Sequence, residues 1–425
     1  MIDMGVGHER MDRCIDACGA RIQVEGAMTL TGSNADNRVL VKPSEMGAAI
    51  ATLYNELAKA TQSPTVSAPN LNAKASGALA NLAKELLAHP NGCLVVSGSN
   101  NVGEQSLVNA INSMLGSYGN TISFANGSNQ RKGVDSEIQG LIRDMESGRV
   151  TSLIVWGANP AYDLPNSEQF VAAASKVGLK VSLAQTPDET TSLCDYVAPS
   201  NHFLESWGDV EPKRGYFSLV QPTISNLFNT RQAEQSILTW SGIDSDYHEY
   251  LKGNWKVHMF GAQSDYISFQ AFWDSVLHDG VFELPQADFP VTYNGNPSAA
   301  AGQVSQPQSG LEVSFFETVN LGAGQYAGNP WLQEMPDPIT RCVWGNYLAI
   351  PIVFDGNRHW DAAGQFAGLN GNEIQGFADK INISVGGNAQ EVTCIRQFGL
   401  APDVVSLALG YGRNDVNQVG MSVGT

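Results

Sequence analysis

Four short stretches of this chain carry residue types that could do chemistry. Gly98-Ser99-Asn100-Asn101-Val102-Gly103 lies between an apolar run and a helical stripe. A glycine-rich turn in that position can offer backbone N–H groups to a phosphate, helped by the helix dipole. No Lys-Ser/Thr follows it, so it is not a nucleotide P-loop, and the plainer reading is a turn that needs glycine. Gly157-Ala158-Asn159-Pro160 follows the strand-like run 153–156. Ligands of open parallel sheets sit outside the carboxyl ends of strands, where the Asn159 amide would donate and accept; an Asn-Pro turn opening the next helix explains it equally well. Gln185-Thr186-Pro187-Asp188-Glu189-Thr190-Thr191 follows the run 180–184. Its hydroxyls and carboxylates suit a guanine or ribose edge, or else cap a helix. Glu205 and Asp209 flank Trp207-Gly208; paired carboxylates can do acid–base work, but this spacing fixes no shared geometry and a structural role is favoured.

Metal and nucleophile chemistry find little support. The six cysteines are Cys14, Cys18, Cys93, Cys194, Cys342 and Cys394, of which only Cys14 and Cys18 are close. Their i,i+4 spacing could share a helix face, but a lone pair without a second is a weak metal signal. No Cys-x-x-Cys-x-x-Cys run is present for an iron–sulfur cluster. The seven histidines are scattered, and no Ser-His-Asp arrangement has supporting context.

The elements that would position these residues alternate along most of the chain. Helical stripes run over 44–60, 73–88, 135–146 and 268–278, and the stripe of Leu107, Ile111, Met114 and Leu115 adds another. Strand-like runs fall at 93–96, 121–125, 153–156 and 180–184. Continuous apolar strands between helices predict a parallel sheet covered on both faces. The aromatic stripe Phe269, Phe272, Trp273, Val276 and Leu277 reads as core. Residues 285–310, rich in Pro, Gly, Gln, Ser and Ala, read as a linker or long loop. From 311 onward the period turns to two, with strands at 381–385, 391–395 and 404–409 and a hairpin signal at Gly386-Gly387-Asn388. The expected architecture is α/β: an open, mainly parallel Rossmann-like sheet with flanking helices over 1–284, the linker 285–310, and a C-terminal β-barrel domain over 311–425 that ends as if truncated.

At 425 residues the chain can bury a large core, and its 43% hydrophobic content is ordinary for a soluble globular protein. Its formal charge of -18 repels nucleic-acid backbones and anionic lipid. No apolar run approaches the roughly 20 residues that span a bilayer, and the first 30 residues lack the basic and apolar regions of a signal peptide. The abrupt start suggests an internal or truncated beginning.

Residues 152–222 resemble the third domain of the molybdopterin oxidoreductase family, in the order strand, Gly157-Ala158-Asn159-Pro160 turn, helix, strand and polar loop. Three further segments, 28–45 (Met28-Thr29-Leu30-Thr31-Gly32 onward), 329–340 (Asn329-Pro330-Trp331-Leu332 onward) and 406–413 (ending Gly410-Tyr411-Gly412-Arg413), are similar to the molybdopterin oxidoreductase-like, iron–sulfur subunit of the bacterial alternative complex III. That resemblance implies a non-catalytic, cofactor-less scaffold segment of a membrane-attached quinol oxidoreductase on the periplasmic side of the bacterial inner membrane. It implies iron–sulfur clusters in a downstream domain, and as partners a multihaem cytochrome and quinol-binding membrane subunits. Asn159, Thr186 and Asp188 then stand at positions resembling pterin-dinucleotide contacts, as vestiges, and Cys194 fills a packing position where the enzymes commonly have Ala. The alternative is a fragment of an active molybdopterin-dependent enzyme, with molybdopterin guanine dinucleotide bound in a cleft.

Overall fold

The computed structural model describes residues 2–4, 20–130, 132–287, 289–354, 360–362, 364–367, 369, 378–414 and 423–424. Cys14 and Cys18 lie outside the described residues. The chain forms two compact units, neither continuous in sequence. The first comprises Met1–Phe124, Pro290–Gly412 and Ser422–Thr425; the second comprises Ala125–Phe289 and Arg413–Met421. The sequence expectation instead divided the chain in order, at 285 and 311.

In the first unit, strands Asn37–Leu40, Ile22–Glu25, Ile2–Met4 and Val95–Ser97 form a parallel sheet in that order. Side chains alternate across a strand. Ile22, Val24, Val39 and Val95 therefore pack with helices Met46–Ala60, Ala73–Ala88 and Val102–Met114 in one core. The helical stripes fix which faces turn inward: Ile50, Leu53, Leu57, Leu79, Leu107 and Ile111 are fully buried. Asn72 and Asn101 start two of these helices, each accepting a backbone N–H three residues on. The other polar alternates of the second strand are buried as well. Glu25 accepts from Arg38 and Thr29, and Arg38 also donates to the Gly399 carbonyl.

The β-rich end folds as a mixed sheet of six strands. Its order is Glu312–Phe316, Val404–Ala408, Tyr347–Phe354, Asn388–Gln397 and Lys380–Val385, with Trp360–Ala362 paired to Tyr347–Phe354. Among the described residues the two edge strands do not pair with each other, so the sheet is open where a barrel was expected. The hairpin signal is found where expected. Val385 faces Asn388 across a two-residue turn in which Gly386 and Gly387 both have positive φ.

Two expectations need correction in this unit. Residues 121–125 are not a strand. The Ser117 carbonyl collects the N–H groups of Asn120, Thr121 and Ile122, and the Thr121 hydroxyl donates to the Cys93 carbonyl. Those local bonds override the β-branched residues. Within 285–310, a short helix Pro297–Ala301 packs Ala300 and Ala301 into the first core. Gly103 permits that approach: a Cβ there would lie 2.4 Å from the Ala300 carbonyl oxygen.

The second unit holds a parallel sheet of Ser152–Val155, Leu179–Ser182 and Tyr196–Val197. Leu153 packs with helices Asp135–Glu146 and Ser167–Ala174 around Ile142, Met145 and Phe170. The opposite face is not covered as expected. Ile154 is 52% exposed and Trp156 50%, so the run 153–156 is half-buried rather than buried. An antiparallel sheet of Gly208–Lys213, Tyr216–Val220 and Val281–Glu283 was missed from sequence, because its buried face reads as scattered aromatics among charges. It belongs to a core with helices Tyr247–His258 and Phe269–Asp279, in which Phe272, Trp273 and Val276 are buried as the stripe foretold, together with Trp255, which the stripe did not include. The Trp255 indole N–H donates to Asp209 at 2.8 Å.

Burial sets the expected cost of truncation. Leu107→Ala empties a packed site and is expected to lower stability by about 2–5 kcal/mol. Ile154→Ala, on the open face, is expected to cost far less, within about 1 kcal/mol. Urea unfolding of the two variants measures the contrast.

Candidate functional site

Parallel pairing decides where the site can form. Ile154 pairs with Val181 and Val155 with Ser182, so the loops after both strands leave from the same end of the sheet. Gly157 turns the first loop with φ 67, a left-handed conformation that glycine adopts without a Cβ penalty. Pro160 opens the one-turn helix Pro160–Asp163. Asn159 precedes it, but its side chain does not cap it. The amide instead reaches the neighbouring loop. Its oxygen accepts from the Thr190 N–H at 3.0 Å and the Thr190 hydroxyl at 2.7 Å, and its nitrogen donates to Glu189 at 2.7 Å. The Thr190 hydroxyl oxygen in turn accepts from the Ala161 N–H.

Glu189 is the hub. Arg413 donates to it from Nε and from Nη2, at 2.7 Å for the latter, and the Asn414 N–H adds a bond at 3.0 Å. The Arg413 guanidinium also lies 4.6 Å from the centre of the Tyr162 ring. Burial works to raise the Glu189 carboxyl. The bonds from Arg413, Asn159 and the backbone outweigh it and hold it at about 2. Burial pushes the Tyr162 phenol to about 12, partly opposed by Arg413, and it raises Asp163 as well.

The three residues singled out from sequence are placed differently. Asn159 is inside this network. Asp188 is beside it but caps its own loop, accepting from the Thr191 N–H and hydroxyl at 2.7 Å each. Thr186 is exposed, with no hydrogen bond among the described residues. Sequence reading passed over Glu189, Thr190 and Tyr162 as individuals, and it could not connect Arg413, 224 positions from Glu189.

The remaining candidates have structural partners. In the 98–103 turn, Ser97, Ser99 and Asn101 side chains take the N–H groups of Ser99, Asn101 and Glu104, leaving the loop closed on itself. Glu205 accepts from the His202 and Leu227 backbones, and Asp209 from Trp255. Cys93, Cys194, Cys342 and Cys394 form no disulfide among the described residues, and no group of three or more His, Cys, Asp or Glu among them could hold a metal ion. No helix among them is long and apolar enough to cross a membrane.

A pterin dinucleotide would need open donors and acceptors at these loop ends. Here the Asn159 oxygen already has two donors, the Thr190 and Asn414 N–H groups are taken, and the Glu189 carboxylate is matched by Arg413. Thr186, by contrast, stays open at the same loop end.

The ion pair makes the second unit acid-sensitive. A carboxyl held at about 2 when folded, against an ordinary 4.5, contributes stability that is full above about pH 4.5 and is lost as pH falls towards 2. Glu189→Gln is expected to flatten that part of the stability–pH curve. Arg413→Ala leaves the part-buried Glu189 carboxylate without its cation and is expected to destabilise the fold at neutral pH more than the double change Glu189→Gln with Arg413→Met. Denaturation curves across the pH range check both.

No family model matches the chain. Over 279 residues, 61% of its length, it is 25% identical to the menaquinone reductase, molybdopterin-binding-like subunit of Nitratidesulfovibrio vulgaris, and it spans 36% of that relative. Its backbone is similar to acetylene hydratase from Pelobacter acetylenicus, with TM-score 0.52 and 10% identity over 92% of this chain and 66% of that one. The second likeness speaks to fold alone, and it agrees with the first: the chain resembles a molybdopterin oxidoreductase-like domain.

Proposed function

We propose that this chain is a non-catalytic scaffold segment of the molybdopterin-like subunit of a membrane-attached, quinone-linked oxidoreductase. The observation that carries the reading is the saturated network at the sheet's carboxyl end. Asn159, Thr190, Glu189 and Arg413 satisfy one another where an active relative would need groups free for a cofactor. A domain that keeps the fold and fills these positions with its own ion pair serves as a packing surface. Asn159, Thr186 and Asp188 are in this reading vestiges of dinucleotide contacts.

The printed name of the distant relative, a menaquinone reductase subunit, supports a quinone-linked complex. The segments 28–45, 329–340 and 406–413 support the alternative complex III kind. On that reading the periplasmic side of the inner membrane is the location, and the partners are cluster-bearing, haem-bearing and quinol-binding subunits. The chain itself supplies contacts rather than redox centres.

Elemental analysis of the native complex tests this. Iron without molybdenum or tungsten is the expected result. Molybdenum or tungsten stoichiometric with this subunit would overturn the proposal and favour an active molybdopterin enzyme, with Asn159→Ala the first variant to assay.

A further inference from the structure

The aromatic core of the second unit contains a row of rings that leads inward from its surface. Half-buried Trp207 stacks on His248 with ring centres 4.0 Å apart. His248 stands 6.0 Å from Trp273, and Trp273 stands 5.9 Å from Trp255, edge to face. The His248 side chain is 28% exposed, whereas Trp273 and Trp255 are buried. Ring thus follows ring from solvent to the middle of the core.

Trp255 differs from the other two tryptophans in what its indole N–H meets. It donates to Oδ2 of Asp209 at 2.8 Å. The indole N–H groups of Trp207 and Trp273 have no acceptor among the described residues. A buried indole needs an acceptor, and a neutral carbonyl would be enough. A carboxylate does more, because it is a base within proton-transfer reach of the indole nitrogen. The Tyr247 phenol is no rival for that proton. Burial, with Glu234 and Asp209 adding to it, pushes this phenol to about 12, so it keeps its own. Loss of one electron turns an indole into a cation and its N–H into a strong acid. In a dry core the cation is costly unless its charge leaves. Among the described residues, Trp255 is the one tryptophan of the three with a base to take the proton, so an oxidising equivalent is most stable there.

We propose that Trp207, Trp273 and Trp255 form a relay that draws single oxidising equivalents from the surface to Trp255, with Asp209 as proton acceptor. Trp207 first loses one electron to a one-electron oxidant of the oxyl-radical class, which is reduced. One electron then passes from Trp273 to Trp207, and one from Trp255 to Trp273. At Trp255 the indole N–H bond breaks and an O–H bond forms on Asp209. A neutral indolyl radical is left beside a neutral acid. His248 bridges the first gap by contact and does not change its oxidation state. A one-electron reductant of the quinol or thiol class restores Trp255, and the proton returns from Asp209. The relay holds stray oxidising equivalents in the core; it is no station between cofactors. It does not depend on the scaffold reading, and its test does not use metal content, so either can fail alone.

The test uses the full chain with its other tryptophans removed by Trp156→Phe, Trp240→Phe, Trp331→Phe, Trp344→Phe and Trp360→Phe. Azide radicals made by pulse radiolysis take one electron from tryptophan, and transient absorption follows the product. Cationic indolyl, neutral indolyl and tyrosyl radicals have different visible spectra. A long-lived neutral indolyl signal that forms more slowly in heavy water is the expected result. Trp255→Phe is expected to abolish it, and Trp273→Phe to leave a short-lived radical at Trp207. Asp209→Asn keeps an acceptor oxygen for the indole but no base, and is expected to leave the cation spectrum. Asp209→Glu is expected to restore the neutral radical. A merely structural Asp209 would shift the thermal midpoint of Asp209→Asn and leave spectrum and isotope effect unchanged. Both are also read with all three relay tryptophans and Asp209 intact, so the test survives a variant that fails to fold. In that chain, a cation spectrum without a heavy-water effect, or a tyrosyl signal, would overturn the relay. So would the same neutral radical after Trp255→Phe.

Discussion

The second unit depends on one carboxylate finding its partners. Glu189 sits where two parallel strands deliver their loops, in surroundings dry enough to favour its neutral form, and yet it stays ionised because Arg413, Asn159 and a backbone N–H converge on it. Removing charge from water is expensive, and a buried pair persists only when its geometry is good and its remaining hydrogen-bonding capacity is met. Here it is met on every side, including the face of Tyr162 against the guanidinium. The consequence is local order: the loop after Val155, the loop after Ser182 and the segment at 413–414 are joined by charge-assisted bonds, which are the strong ones.

The same saturation bears on what the domain can do. In open α/β folds the carboxyl ends of the strands are where ligands bind, because the loops there leave polar groups pointing outward. This chain turns those groups on one another. An amide with two donors on its oxygen has little left to read a base or a sugar, and a carboxylate paired with arginine presents no net charge to a pyrophosphate. At these loop ends Asn159, Thr190, Glu189 and Arg413 form a structural clasp. The fold is kept because its helices and strands still make a core, and the core is independent of what the loops hold.

The two units use different means to close their cores. The first packs aliphatic stripes, Ile50, Leu53, Leu57 and Leu107 among them, against a parallel sheet. The second relies on large rings, with Trp255 buried among Phe272, Trp273 and Phe282 at centroid separations of about 6 Å and its indole N–H given to Asp209. Edge and tilted ring contacts add to area burial, and the polar end of a buried tryptophan needs an acceptor. Half-buried Asp209 is therefore the acceptor for a core tryptophan, although beside Glu205 it reads in sequence as half of an acid–base pair.

The sequence by itself determined the local elements. Helices Met46–Ala60, Ala73–Ala88 and Asp135–Glu146 follow from apolar spacing, which depends only on the helical period. The Gly386-Gly387 hairpin follows from a turn that requires positive φ. The loops around Asn159 and Asp188 were legible as an end of the sheet for the same local reason. Tertiary structure alone decided the rest. It left the face bearing Ile154 open, it turned 121–125 from strand to loop through the Ser117 and Cys93 carbonyls, and it split the strands between two units whose segments interleave along the chain. Above all it brought Arg413 to Glu189. Periodicity reports on neighbours a few residues apart, whereas an ion pair across 224 positions exists only once the chain has folded, because the burial that makes the pair necessary is itself a product of the fold.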